Sequence, residues 1–151
     1  MDNDKLQMST TTDGKPPRPG FEKAGAPAPI DPRTGQHESY WVLSEEERKK
    51  GFVRPVRQKY IHLKCGGETH MGLALSETYA RDPKYYGATM CVQCGSHFRL
   101  QDTVDGEYRW MFEWSRDGEP VGSTEEEAKA YMDVKEQIEK DRLELLEKRL
   151  L

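Results

Sequence analysis

Two short strings constrain this chain more than any other feature: His62-Leu63-Lys64-Cys65-Gly66 and Cys91-Val92-Gln93-Cys94-Gly95. Each sets two metal-ligating side chains three positions apart and follows them at once with glycine. That spacing predicts a knuckle, a tight turn whose two ligands face one ion. The glycine lets the backbone fold back without a Cβ clash and lets its N–H approach a thiolate. Between Cys65 and Cys91 lie 25 residues. Two knuckles at that separation supply the four ligands of a closed tetrahedral Zn²⁺ site: His62, Cys65, Cys91 and Cys94.

The chain has 3 cysteines and 4 histidines. An odd cysteine count argues against a disulfide framework, and no βαβ pattern surrounds Cys91 and Cys94 to suggest a thioredoxin-like redox pair. The bland alternative is a set of ordinary thiols beside ordinary polar histidines. Two other histidines compete for the fourth ligand position. His97 offers Cys-x2-His directly after the second knuckle, and His70 offers Cys-x4-His after the first. The matched knuckle ranks His62 first, His97 second and His70 third.

Composition supports a reinforced small core. Hydrophobic residues are 34% of the chain and charged residues 33%, which suits a core of about 70 to 80 residues. A core that size is marginal on hydrophobic burial alone, and a metal is one of the usual reinforcements. Unpaired thiols point to a reducing compartment, so a cytoplasmic location is expected. The start of the chain, MDNDKLQMSTTTDG, is polar and no apolar run approaches membrane-spanning length, so no signal peptide, membrane span or membrane partner is expected.

The expected fold is α+β, a small zinc-ribbon-like domain of two knuckles, a β-hairpin and short helices, over about residues 40–122. Before it, residues 1–39 read as a disordered arm. Six of the 9 prolines fall within it, and few large apolar residues are there to offset chain entropy. After Leu43, a capping box of Ser44 and Glu47 predicts a short helix that stops at Gly51. Arg57 to Leu63 reads as a strand. Met71, Leu75 and Tyr79 recur every four residues and predict a helix over 71–81, ended by Asp82-Pro83. Asp105-Gly106 predicts a hairpin turn. Tyr108, Trp110, Phe112 and Trp114 alternate, which predicts one buried aromatic face on its second strand. Residues 123–151 read as an amphipathic C-terminal helix, opened by a capping box at Ser123–Glu126 or Thr124–Glu127. Its apolar stripe, Tyr131, Val134, Ile138 and Leu145, offers a surface for a protein partner or for a second copy of the chain.

The net charge of −4 is unevenly spread. The run from Arg48 to Lys64 holds Arg48, Lys49, Lys50, Arg54, Arg57, Lys59 and Lys64 with no acid. Such a run could track phosphates, with Tyr60 or hairpin aromatics stacking bases. No His-Glu-x2-His spacing, Gly-rich phosphate loop or nucleophile elbow is present, and a Cys3His set leaves a metal no open position. No enzyme is therefore expected, and Glu68 and Glu77 are the only carboxylates worth testing as catalytic groups.

With these residues in view, the chain resembles a family of small proteins encoded by tailed bacteriophages and prophages. The strings that carry the resemblance are Phe52-Val-Arg-Pro-Val-Arg57, Tyr60-x-His62, Cys65-Gly66, Glu77-Thr-Tyr-Ala-Arg-Asp-Pro83, Tyr86-Gly-Ala-Thr89 and Cys91-x2-Cys94. They cover about residues 44–122 and leave both tails outside. The resemblance implies a ligand histidine at position 62, often another histidine at 97, and none at 70. It also implies a phage setting, in the host cytoplasm or the virion, and brings no established activity. The function expected is a zinc-stabilised, non-enzymatic interaction module that binds a host or virion protein. The alternative is a nucleic-acid-binding zinc ribbon that uses the basic 48–64 segment.

Overall fold

Small antiparallel strand pairs, rather than one large sheet, build this α+β chain. The computed structural model describes residues 8–150. Along it run β1 (Ser9–Thr11), β2 (Trp41–Leu43), α1 (Glu45–Arg48), β3 (Lys59–His62), β4 (Glu68–His70) and α2 (Leu73–Arg81). Then come β5 (Ala88–Cys91), β6 (Ser96–Arg99), β7 (Gln101–Val104), β8 (Glu107–Trp110), β9 (Phe112–Trp114) and α3 (Glu125–Leu150). β3 is the centre strand of a three-stranded sheet ordered β4-β3-β9, and β1-β2, β5-β6 and β7-β8 are two-stranded pairs.

The core lies where that sheet meets α2 and the second knuckle. Tyr60, Met71, Tyr79, Cys91, Leu100, Phe112, Trp114 and Val121 form one buried cluster. Tyr60 meets Phe112 and Trp114 edge-on, at ring separations of 5.6 and 6.1 Å. Large rings with offset contacts give a small core the area it otherwise lacks. α1 begins as expected, the Ser44 side chain accepting from the Glu47 N–H. α3 opens with a reciprocal box: Glu127 N–H donates to Thr124 Oγ1, and Thr124 N–H donates to the Glu127 carboxylate. Thr124, not Ser123, is the cap.

Two expectations need correction. The first is the arm. Residues 1–7 lie outside the described residues, but from residue 8 on the segment is laid over the domain. β1 pairs with β2, Thr11 opposite Trp41, and Ala26, Pro27, Ala28 and Ser39 are buried. Trp41 Nε1–H donates to the Ala24 carbonyl at 3.1 Å. Small residues and proline have little side-chain entropy to lose, so they can be buried without large apolar neighbours. The second is the aromatic face. Tyr108 is 69% exposed whereas Phe112 and Trp114 are 0% and 2% exposed. The alternation is real, but the strand breaks at Met111. β8 pairs with β7, and β9 crosses to β3 with His62 opposite Phe112. Only the residues after the break face the core.

Among the described residues, no helix is long and apolar enough to cross a membrane.

Candidate metal centre

The same turn occurs twice. β3 ends at His62, Gly66 adopts φ +75°, and its N–H donates to the His62 carbonyl at 2.7 Å. β5 ends at Cys91, Gly95 adopts φ +69°, and its N–H donates to the Cys91 carbonyl at 2.8 Å. Left-handed backbone at those points is what the glycines permit. In each unit the first ligand closes a strand and the second rides on the turn.

The two turns face each other. His62 Nδ1 lies 3.5 Å from Cys65 Sγ and 3.7 Å from Cys94 Sγ, and Cys65 Sγ lies 3.5 Å from Cys91 Sγ. All four donor atoms fall within 4.8 Å of one another. A tetrahedral ion with sulfur bonds near 2.3 Å would separate its sulfurs by about 3.8 Å. The residues present therefore fit a metal ion, held by His62, Cys65, Cys91 and Cys94.

Backbone donors support the sulfurs. Gly67 N–H donates to Cys65 Sγ at 3.3 Å and Cys94 N–H to Cys91 Sγ at 3.4 Å. The donor to Cys65 is thus Gly67, not the Gly66 that the knuckle pattern suggests. Gly67 is also where the knuckles touch: a Cβ there would meet the Gln93 side chain at 2.6 Å. Gln93 Nε2 donates across to the Cys65 carbonyl at 3.3 Å.

Charge follows the same geometry. The Gly67 N–H holds the Cys65 thiol below its ordinary range. Desolvation, and the neighbouring Cys65 and Cys91 thiols, push Cys94 up to about 11. Three sulfurs this close cannot all ionise without a cation among them. Burial, then the nearby Lys64, lowers the pKa of His62, which favours the neutral imidazole that ligates metal.

The setting of His62 is unusual. Its ring is fully buried between Phe98 and Phe112, at centroid distances of 4.5 and 4.6 Å. Its Nε2 has no hydrogen-bond partner among the described residues. A ligating histidine ordinarily donates its second N–H to an oxygen that fixes the ring. Here two aromatic faces fix it instead. Nothing in the local spacing around His62 points to those rings, which come from β6 and β9.

The remaining candidates are elsewhere. His97 Nε2 bonds the Tyr40 hydroxyl at 2.8 Å, and His70 is exposed on β4 opposite Lys59. Glu68 accepts from Ser115 Oγ, and Glu77 pairs with Arg48 at 2.5 Å. The basic run is largely consumed by acids: Arg48 by Glu77, Lys49 by Glu45, Lys50 by Glu47, Arg54 by Glu119, and Arg57 by Asp117 and Glu119. Arg57 also lies over the Trp114 ring at 4.9 Å.

Compared with protein-family models, curated proteins and solved structures, the chain matches none.

Proposed function

We propose that this chain is a zinc-stapled, non-enzymatic interaction module, with Zn²⁺ held by His62, Cys65, Cys91 and Cys94 and a protein as its partner. The convergence of four protein donors within 4.8 Å carries the reading. Three thiolates and one imidazole in a tetrahedral set suit zinc, and four protein ligands leave no position for water or substrate. The ion's job is then to clamp two hairpins that also meet through Gln93 on the Cys65 carbonyl and Tyr60 on the Met90 carbonyl. Because the site does not exist in the unfolded chain, binding energy becomes folding energy.

The partner surface is the distal part of α3. Ala128 is buried, Tyr131 donates to the Glu113 carboxylate and Lys135 pairs with Glu113 at 3.0 Å. Further out, Ile138, Leu143, Leu145, Leu146 and Leu150 are all exposed. The resemblance to phage-encoded proteins favours a host or virion protein as the occupant. The ion pairs that absorb most of the 48–64 bases weigh against the nucleic-acid alternative.

Native mass spectrometry tests the metal, with one zinc per chain expected and loss of zinc in His62→Ala. Metal-free protein that is folded and freshly reduced would overturn the staple. For the surface, an Ile138→Asp, Leu145→Asp double variant should keep its zinc and lose proteins retained by the wild-type chain. Undiminished retention would remove α3 as the contact.

A further inference from the structure

Beside the metal centre lies a 310 Å³ cavity that none of the four ligands lines. Its walls include the N-terminal segment (Gln36, His37, Tyr40), the β4–α2 region (Met71, Leu75, Tyr79) and the β5–β6 hairpin (Ala88, Thr89, His97). The volume is at the lower end of the range for small-molecule sites, ~300–1,000 Å³. It has room for one small molecule and none for a chain.

Three properties define what would fit. The first is the wall material: Tyr40, Tyr60, Tyr79, Tyr86, His37 and His97 all line the space. Ring faces favour a flat, unsaturated ligand. The second is charge. Among the described residues no Lys, Arg, Asp or Glu lines the cavity, and burial, with His37 nearby, lowers the pKa of His97, which favours its neutral form. A phosphate or carboxylate would find no permanently charged partner there.

The third is hydrogen-bonding capacity of both kinds. Thr89 Oγ1 donates to the Tyr60 hydroxyl at 3.0 Å, and that hydroxyl donates to the Met90 carbonyl at 2.5 Å. The direction of this chain leaves the Thr89 oxygen as an acceptor. His37 Nδ1 donates to the Ala28 carbonyl at 2.7 Å, which leaves its Nε2 as an acceptor in the neutral ring. The Gln36 amide supplies a donor and an acceptor together.

A flat, uncharged ring with donors and acceptors on its edge meets all three requirements. We propose that this cavity binds a neutral nucleobase-type heterocycle, as the free base or nucleoside, stacked among Tyr40, Tyr79 and Tyr86 and read by Gln36 and Thr89. The ligand is a separate matter from the α3 surface and from the metal. The N-terminal segment supplies one wall, so a bound heterocycle would also hold that segment to the domain.

Ligand-observed NMR titration of adenosine, guanosine, cytidine and uridine into the full zinc-loaded chain tests this. At least one nucleoside should bind with Kd of about 1 mM or tighter. Thr89→Val, which removes the reading oxygen and keeps the side-chain shape, should weaken that binding about fivefold. Ala88 is exposed at the cavity wall, so Ala88→Trp should fill the space and abolish binding with the zinc content unchanged. Gln36→Trp provides a second block from the N-terminal segment. Failure of all four nucleosides to bind, or binding that persists in both blocked variants, would overturn the proposal.

Discussion

Gly35 rests directly on Gly95: a Cβ at Gly35 would overlap the Gly95 carbonyl group and press on Met90 Cε. One glycine belongs to the N-terminal segment and the other to the second knuckle. The contact ties a stretch of chain with almost no large apolar residues to the turn that carries Cys91 and Cys94. It works only because Gly35 has no side chain and adopts φ +77°.

Gly35→Ala should therefore loosen the N-terminal segment and spare the metal. Positive φ and a backbone overlap together are expected to cost about 1–3 kcal/mol. Hydrogen exchange should accelerate over residues 30–40 with metal content unchanged. Unaltered exchange there would mean that the segment is held by something other than this contact.

Removing a ligand should have a global effect. Structural zinc in small domains contributes roughly 10–16 kcal/mol, comparable to or above the ~5–15 kcal/mol stability of a typical domain. Cys91→Ala is expected to lose the ion and the cooperative melt, as read by circular dichroism with metal analysis. A folded Cys91→Ala chain with its melting temperature intact would rule out a structural role for the site.

Arg57 offers a different kind of test. Its side chain is 3% exposed, between Asp117 and Glu119 and over Trp114. Arg57→Ala takes the arginine from Asp117, leaves Glu119 with Arg54 alone and strips one face of Trp114, at a cost of about 1–3 kcal/mol. Urea denaturation would read this as a lower midpoint at an unchanged slope. Arg57→Lys should recover only part of the loss, since an ammonium lacks the flat guanidinium face that lies over Trp114.

Docking of the N-terminal segment should also depend on pH. The folded-state pKa of His97 is lowered from 6.5, by burial first and then by His37. Below about 6.5 the released state therefore binds more protons than the docked state. The stability that His97 contributes is complete above that value and declines as pH falls through it toward the folded pKa. The open fraction read from hydrogen exchange over residues 37–40, corrected for the slower intrinsic exchange at lower pH, should rise between pH 7 and about 5.5. His97→Gln, which keeps a polar partner for Tyr40 and does not titrate, should flatten the rise. An equal rise in that variant would place the pH response elsewhere, for instance at the metal ligands.

The distal helix should be dispensable for folding. From Glu136 to Leu150 its side-chain bonds stay within the helix: Glu136 with Lys140, Gln137 with Asp141, and Glu139 with Arg142. Truncation after Gln137 is expected to change stability by no more than about 0.5 kcal/mol. A larger loss in thermal melting would show that the distal turns pack on the domain or on another copy.

The elements legible in the sequence were those with local physics. The two x-x-Cys-Gly turns, the Ser44 cap and the Asp105-Gly106 hairpin each depend on residues within five positions of one another. Asp105 and Gly106 both take positive φ, 52° and 81°, as a tight hairpin turn requires. The choice of His62 rested on the same logic, as its spacing to Cys65 matches that of Cys91 to Cys94.

What the sequence by itself determined was the ligand set that could converge, the turns that could present it, and the C-terminal helix that follows. Tertiary structure alone decided the rest. It broke the aromatic strand at Met111, so that Phe112 faces His62 while Tyr108 faces solvent. It placed Phe98 and Phe112 on either side of the His62 ring, gave His97 to Tyr40, and turned Arg54 and Arg57 inward onto Glu119. It also laid a proline-rich segment over the domain through Ala26, Ala28 and Gly35, residues whose small size leaves no hydrophobic period to read. The physical reason is range: a turn is encoded by neighbours in the chain, whereas a packing partner dozens of residues away leaves no mark on local spacing.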